Sequence, residues 1–271
     1  MTTAPNELTD LVPDLNASDQ AAQDRGLRAR QTTYIAARAA GFEGPTTKPR
    51  LIREFGSESA PRANGQDRDM VGVGNGSPFV SPDGQLCGLF AVDIAGFNGS
   101  QRDDDIQMYV HESLYDMLQV AFDRSEVPWN GCAHEDRGDG VLVVIPPMIP
   151  IAGLVDPIPQ RLRSLIRRHN RVSCEAARIQ LRIATHAGPV HHDGHGFVGH
   201  AVTLLYRLLD TQSLKRMLAQ SGADIGFIAS GYIYENVIRR RPSLIDPALF
   251  QSLPVRVKET RTRAWAYLLG T

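Results

Sequence analysis

Three places in this 271-residue sequence carry side chains whose type and spacing could handle phosphoryl groups. Asp93, in the run Val92-Asp93-Ile94-Ala95-Gly96-Phe97, ends an apolar stretch (86–94) that suits a buried strand. A carboxylate there can hold a divalent cation, and the glycine turn behind it can bring backbone N–H groups to phosphate oxygens. An Asp that only ends a strand or caps a helix has the same local pattern. Asp139, between Gly138 and Gly140, heads a second apolar run (140–147), with 131–136 as its antiparallel partner. It is a second metal-ligand position at a hairpin tip, or an ordinary Gly-Asp-Gly turn. Thr203 and Arg207 are four residues apart and share a face of the helix that begins near His200. An Arg so placed can neutralise charge developing on a phosphoryl group, or it can sit in solvent on an amphipathic helix.

These side chains need elements to position them. Ile106, Tyr109, Val110, Leu114, Met117, Leu118, Ala121 and Phe122 recur at helical steps and predict a helix over 104–124. Further helices are expected at 160–171, 200–218 and 231–239, strands at 179–190 and 223–230, and a closing hairpin over 255–269. The alternation predicts one α+β or α/β domain over 86–271. Residues 1–85 differ: a loose polar tail to 17, a helix over 18–41 with Ser18 as its cap, then a Gly- and Pro-rich linker. That segment is expected to be helical and loop-rich, and partly disordered. Its Gly72-Val73-Gly74-Asn75-Gly76 run lacks the Lys-Ser/Thr of a phosphate-binding loop.

Composition narrows the classes. Hydrophobic residues at 42% and charged residues at 22% support a globular core. Lys+Arg 29 against Asp+Glu 30 leaves a formal charge of −1, so no global basic field draws the chain to nucleic acid or membrane. The arginines at 161, 163, 167, 168, 171, 178 and 182 lack interleaved aromatics, and a solvated helix face explains most of them better than an RNA surface. Three widely spaced cysteines offer neither a disulfide framework nor a CxxC site. No stretch approaches the ~18 apolar residues of a spanning helix, and the N-terminus has no basic start followed by an apolar run. A cytoplasmic protein is expected, with neither nucleic acid nor membrane as partner. His191, His192, Asp193 and His195 could ligate zinc, although Gly194 and Gly196 favour an exposed hairpin there.

Taken in order, the motifs say more than each does alone. Strand-Asp93-Ile94-x-Gly96-Phe97 is followed 46 residues after the Asp (139 − 93) by Gly-Asp139-Gly-strand. His186-x-Gly188-x-Val190 comes next, then Gly199-x-x-Val202-Thr203-x-x-x-Arg207, and finally Val257-Lys258 before a terminal strand. Across residues 86–269 this series resembles the class III nucleotidyl cyclase catalytic domain, the family of adenylate and guanylate cyclases. The resemblance implies an α+β fold with a ferredoxin-like core sheet, helices on one face and a head-to-tail homodimer. It implies two magnesium or manganese ions held by Asp93, the Ile94 carbonyl and Asp139. The ribose 3′-hydroxyl of a nucleoside triphosphate would attack its own α-phosphorus and expel pyrophosphate.

By the same resemblance, Gly96 and Phe97 form the turn around the phosphates. Lys258 reaches the terminal phosphates, and Arg207 with Thr203 forms the transition-state pair, Thr standing where Asn is usual. Glu135, four before Asp139, matches the guanine-selecting position, but its partner position falls on Gly196, so only half of that signature is present. Stand-alone bacterial relatives that make cyclic UMP or cyclic CMP in antiphage defence look similar, and the base stays open between purine, UTP and CTP. The head-to-tail dimer would join Asp93 and Asp139 of one subunit to Arg207 of the other. Thr203 and Gly196 also suit an alternative, a catalytically degenerate cyclase-fold module that binds nucleotide or only dimerises.

Overall fold

The computed structural model describes residues 84–241 and 245–270. The helix expected over 18–41 and the glycine run 72–76 lie outside the described residues. The core is a mixed sheet of strands β1 (Gln85–Ile94), β2 (Ala133–Asp136), β3 (Gly140–Ile145), β4 (Leu181–His192), β5 (Phe197–Val198), β6 (Ile225–Ser230), β7 (Gln251–Val257) and β8 (Thr260–Leu269). The strand order is β2-β3-β1-β4-β6-β8-β7, with β5 paired to the end of β4. Of these pairings only β4 with β6 is parallel.

β1 is apolar at nearly every position because both of its faces are covered. Cys87, Leu89 and Ala91 point to one side, where Leu205, Leu208 and Leu209 of α3 (His200–Leu209) join the same buried cluster. Phe90 points to the other side and meets Phe122 of α1 (Asp104–Asp123) edge-on, with ring centroids 5.3 Å apart. α2 (Ile158–Val172) lies on that second side too, since its Gln160 donates to the hydroxyl of Tyr267 on β8, whose neighbours Ala264 and Ala266 face the α3 cluster. The α+β class is as expected, but the helices divide between the two faces rather than gathering on one.

α1 starts where the sequence predicts, because the Asp103 carboxylate accepts the Ile106 N–H at 2.9 Å. The helix predicted over 200–218 is broken into α3 and α4 (Gln212–Ser221). The reason is phase. Leu205, Leu208 and Leu209 are followed by Leu214 and Leu218, a five-residue step that no continuous helix can keep on one face. Thr211 takes an extended conformation (ψ 130°), and the second helix is re-aimed so that Leu214 reaches the same core. Gly188 of β4 lets α3 come close, because a Cβ there would lie 2.6 Å from the Cβ of Ala201.

Candidate active site

β1 carries Asp93 to the edge of the core. It lies directly opposite Gly140 of β3 and Arg182 of β4. Gly140 is required at this crossing, since a Cβ there would overlap the Val92 carbonyl. The tight pairing draws Asp139 up beside the end of β1, where the Ile94 N–H donates to the Asp139 carbonyl at 2.9 Å. Asp93, Ile94 and Asp139, which the family resemblance implies together, are therefore neighbours at one end of the sheet. Beyond Ile94 the chain turns through Gly96 (φ 66°), and the Phe97 N–H returns to the Ile94 carbonyl at 3.3 Å.

The Asp93 side chain is buried, and that burial pushes its carboxyl up to about 6, against the pull of Arg182 and with a further upward push from the charge of Asp139. Arg182 grips it in a fork: Nε donates to Oδ1 at 2.7 Å and Nη2 to Oδ2 at 2.8 Å. The sequence puts Arg182 in the strand expected over 179–190 and gives it no role at the site. It lies on that strand, β4, between buried Leu181 and Ile183, and its side chain is 14% exposed. The signal was the strand pattern around it, in which a lone Arg sits among apolar residues.

The remaining residues fall in two groups. Glu135 on β2 and Gly196 before β5 come together as expected, since a Cβ on Gly196 would lie 3.0 Å from Glu135 Oε1. Glu135 accepts the Phe197 N–H at 3.1 Å and pairs with Arg137 at 2.8 Å, and the Arg137 guanidinium covers the ring of Tyr206 at 4.8 Å. Neither Arg137 nor Tyr206 was singled out in the sequence. The other group gathers at the β7–β8 turn. Arg207 Nη2 donates to Glu259 Oε1 at 3.2 Å, next to Lys258, which takes a left-handed φ of 49° in the turn. Arg207 Nε is buried with no hydrogen-bond partner among the described residues. Thr203 is exposed on the same helix. Arg207 is held by Glu259 rather than by either aspartate.

Asp93, Asp139 and the Ile94 carbonyl are hard oxygen donors of the kind that suit magnesium or manganese. The fork uses one lone pair on each Asp93 oxygen and leaves others, so these residues fit a divalent ion. Among the described residues, no group of three or more His, Cys, Asp or Glu forms a metal site. His191 and His192 end β4 opposite Val198 and Phe197, and Asp193 accepts the N–H groups of His195 and Gly196 at 2.9 and 3.1 Å. The histidine-rich segment is a hairpin closed by Asp193. Among the described residues no helix is long and apolar enough to cross a membrane.

No protein-family profile matches the chain. No curated protein matches it either. Solved structures do. The adenylate/guanylate cyclase/hydrolase from Silicibacter pomeroyi superposes with a TM-score of 0.50 at 20% identity, over 69% of this chain and 98% of that one. The guanylyl cyclase Cya2 gives a TM-score of 0.47 at 15% identity, over 71% and 95% of the two chains. The guanylate cyclase domain of RhGC from Catenaria anguillulae, in complex with GTP, gives 0.45 at 18% identity, over 69% and 98%. With its sheet order, its crossing at Gly140 and its match to the Silicibacter structure, the chain has the class III adenylate/guanylate cyclase fold.

Proposed function

We propose that the chain is a nucleotidyl cyclase that converts a noncyclic nucleoside triphosphate to its 3′,5′-cyclic monophosphate and pyrophosphate. The observation that carries this reading is the meeting of Asp93 and Asp139 across the β1–β3 register, at the end of the sheet where the Gly96 turn opens. Asp93, Asp139 and the Ile94 carbonyl would hold two magnesium or manganese ions. When bound, such a pair supplies acidification of the 3′-hydroxyl and charge neutralisation on the departing pyrophosphate.

The chain's own residues do the rest. Gly96 is exposed and a Cβ there would meet nothing within 4 Å, so the backbone of this turn can approach phosphate oxygens. Arg207 has donors to give to charge building on the triphosphate, its Nε being without a partner among the described residues. Thr203 would offer one hydroxyl to the ribose, and Lys258, in the β7–β8 turn, would reach the terminal phosphates. Glu135, beside Gly196, would read the base. The new bond joins the 3′-oxygen to the α-phosphorus, the bond from that phosphorus to the bridging oxygen breaks, and the hydroxyl proton leaves to water. In a head-to-tail homodimer, Arg207 of one subunit would serve Asp93 and Asp139 of the other.

A second reading also has support. Arg182 occupies Asp93, Glu259 occupies Arg207, and Thr203 replaces the usual Asn. These suit a module that binds nucleotide without turnover. Incubation with ATP, GTP, CTP and UTP separately, with manganese, separates the two by mass spectrometry. A cyclic monophosphate that disappears in Asp139→Asn supports the enzyme and identifies the base. No cyclic product from any of the four, with nucleotide binding retained, replaces the enzyme with the binding module.

A further inference from the structure

Asp136 ends β2 three residues before Asp139, and the reaction outlined above gives it no part. Its carboxylate gathers three partners. Oδ1 accepts the Gly138 N–H at 2.7 Å, while Oδ2 accepts the Tyr115 hydroxyl at 2.8 Å and faces His111 Nε2 at 2.8 Å. Tyr115 and His111 stand about one turn apart on α1, and buried Trp129 braces the Tyr115 ring edge-on at 6.4 Å. Asp136 pairs with Val141, itself opposite Val92, so this cluster lies on the α1 side of the sheet. Asp93 opens to the other side, with Leu89 and Ala91. Asp136 therefore reaches the Gly138-Asp139-Gly140 turn from behind and does not face an ion held in front of it.

Packing does not hold that turn. Gly138 takes φ 80°, and a Cβ on it would meet nothing within 4 Å. At the tip, backbone bonds join Arg137 N–H to the Gly140 carbonyl and Ile94 N–H to the Asp139 carbonyl, both at 2.9 Å. The side-chain tether is Asp136, and it leads to a helix that is itself pinned. Arg102, just before α1, donates from Nε to the Ala176 carbonyl at 2.9 Å and from Nη2 to the Arg178 carbonyl at 2.7 Å. Since α1 follows the Gly96 turn, it acts as a strut that relates that turn to the hairpin carrying Asp139.

We propose that Asp136, held by Tyr115 and His111, is a positioning residue for Asp139: it fixes the Gly-Asp-Gly turn against α1 and so sets how well the two aspartates share a divalent ion. The inference rests on the cyclase reading, because it takes Asp139 as a metal ligand. The His111 and Asp136 side chains are 30% and 52% exposed, a pair of the class that contributes little to stability. Its loss should therefore move the turn more than it weakens the fold.

The test uses the full chain with Mn²⁺ and the 3′-deoxy form of each of the four triphosphates, which lacks the nucleophile and does not cyclise. Binding is read from water-proton relaxation, which Mn²⁺ speeds further once it is held on the slowly tumbling protein, with Asp139→Asn as the reference for a lost ligand. In Asp136→Ala, Mn²⁺ binding should weaken about tenfold or more. Asp136→Asn keeps an oxygen for the Gly138 N–H and should stay within about threefold of wild type. Tyr115→Phe removes one bond between hairpin and helix, leaves the turn's own contact in place, and should weaken binding about threefold or more. That variant carries the test if Asp136→Ala does not fold. Glu235→Ala, which breaks an exposed pair with Arg239 outside the site, should bind Mn²⁺ as wild type does. A staple that serves only the fold would lower the thermal midpoint of Asp136→Ala and Tyr115→Phe and leave Mn²⁺ binding unchanged. That result overturns the assignment, as does a wild-type chain that takes no Mn²⁺ with any of the four nucleotides. If the wild-type chain makes no cyclic nucleotide while Mn²⁺ binding follows Asp136, the enzyme reading falls and the positioning role stands. If it makes one while Mn²⁺ binding ignores Asp136, the positioning role alone falls.

Discussion

Arg207 should be the side chain whose loss damages turnover most for the least structural cost. Its ion pair with Glu259 reaches an exposed glutamate, of the class that contributes little to stability. Arg207→Ala is therefore expected to lower kcat by about 100-fold or more, with a stability change of about 1 kcal/mol or less. Steady-state cyclisation kinetics alongside urea unfolding check both halves. Thr203→Asn tests the neighbouring departure from the family pattern. The position is exposed, so the thermal midpoint should hold while kcat/KM rises as an amide replaces a short, χ1-restricted hydroxyl. A fall in kcat/KM would mean that Thr203 is adapted to this site rather than a degraded Asn. At this scale the aspartates were legible in the sequence because each carries its own context, a strand end or a glycine turn. Arg182 was not, because its role depends on a partner 89 residues away along the chain.

At the scale of elements, two glycines set how closely the parts of the site meet. Gly188 allows α3 to settle on β4, and Gly188→Ala would bring the new Cβ against Ala201. Overpacking of this kind typically costs about 1–3 kcal/mol, which a shift in urea midpoint at constant slope would show. Gly140→Ala should be worse. Its Cβ would meet the Val92 backbone, which cannot rotate away as a side chain can, and the displaced hairpin carries Asp139. Loss of both stability and cyclisation is expected, and a stable but inactive variant would show that the hairpin can shift while the sheet stays intact. Most elements were readable from periodicity. The break between α3 and α4 was not, because no Gly or Pro marks it at Asp210 and Thr211, and only the five-residue step to Leu214 and the buried, extended Thr211 show that the chain must turn.

At the scale of the whole molecule, the buried histidines shape the response to acid. Burial, reinforced by the charge of His200, pushes His186 down to about 4 from an ordinary value of 6.5, while its Nδ1 pairs with the Ser230 hydroxyl at 2.8 Å. His169 is shifted the same way by burial. A group with a depressed pKa contributes its full stability above the unfolded value and loses it as the pH falls. The His186 contribution, about 3 kcal/mol, should therefore be lost between about pH 6.5 and 4, while the raised carboxyl of Asp93 favours the folded state as the pH falls through about 6 and offsets part of that loss. His186→Asn, which can keep a bond to Ser230, should flatten the decline, and a pH series of urea midpoints would show it. Assembly is the other property at this scale. An equal mixture of Asp139→Asn and Arg207→Ala chains should recover cyclisation that neither shows alone, because one mixed interface would hold both intact halves. No recovery in a mixture shown to contain mixed dimers would place the whole site within one subunit.

The α+β class, as against α/β, came only with the family resemblance; the sequence by itself determined the alternation of strands and helices, the two candidate aspartates, the glycine turn after Ile94 and the helix bearing Thr203 and Arg207. Each of these is written in residues close together along the chain, where periodicity and turn chemistry act. The tertiary structure alone decided which charges meet. Strand register set Arg182 on Asp93, close packing at Gly140 brought Asp139 to Ile94, and the β7–β8 turn gave Arg207 its Glu259. The division of the helices between two faces was decided there as well, since β1 is apolar on both sides and its sequence alone does not say which helix covers which. Those outcomes depend on electrostatics and packing between distant segments, and no local pattern in the chain encodes them.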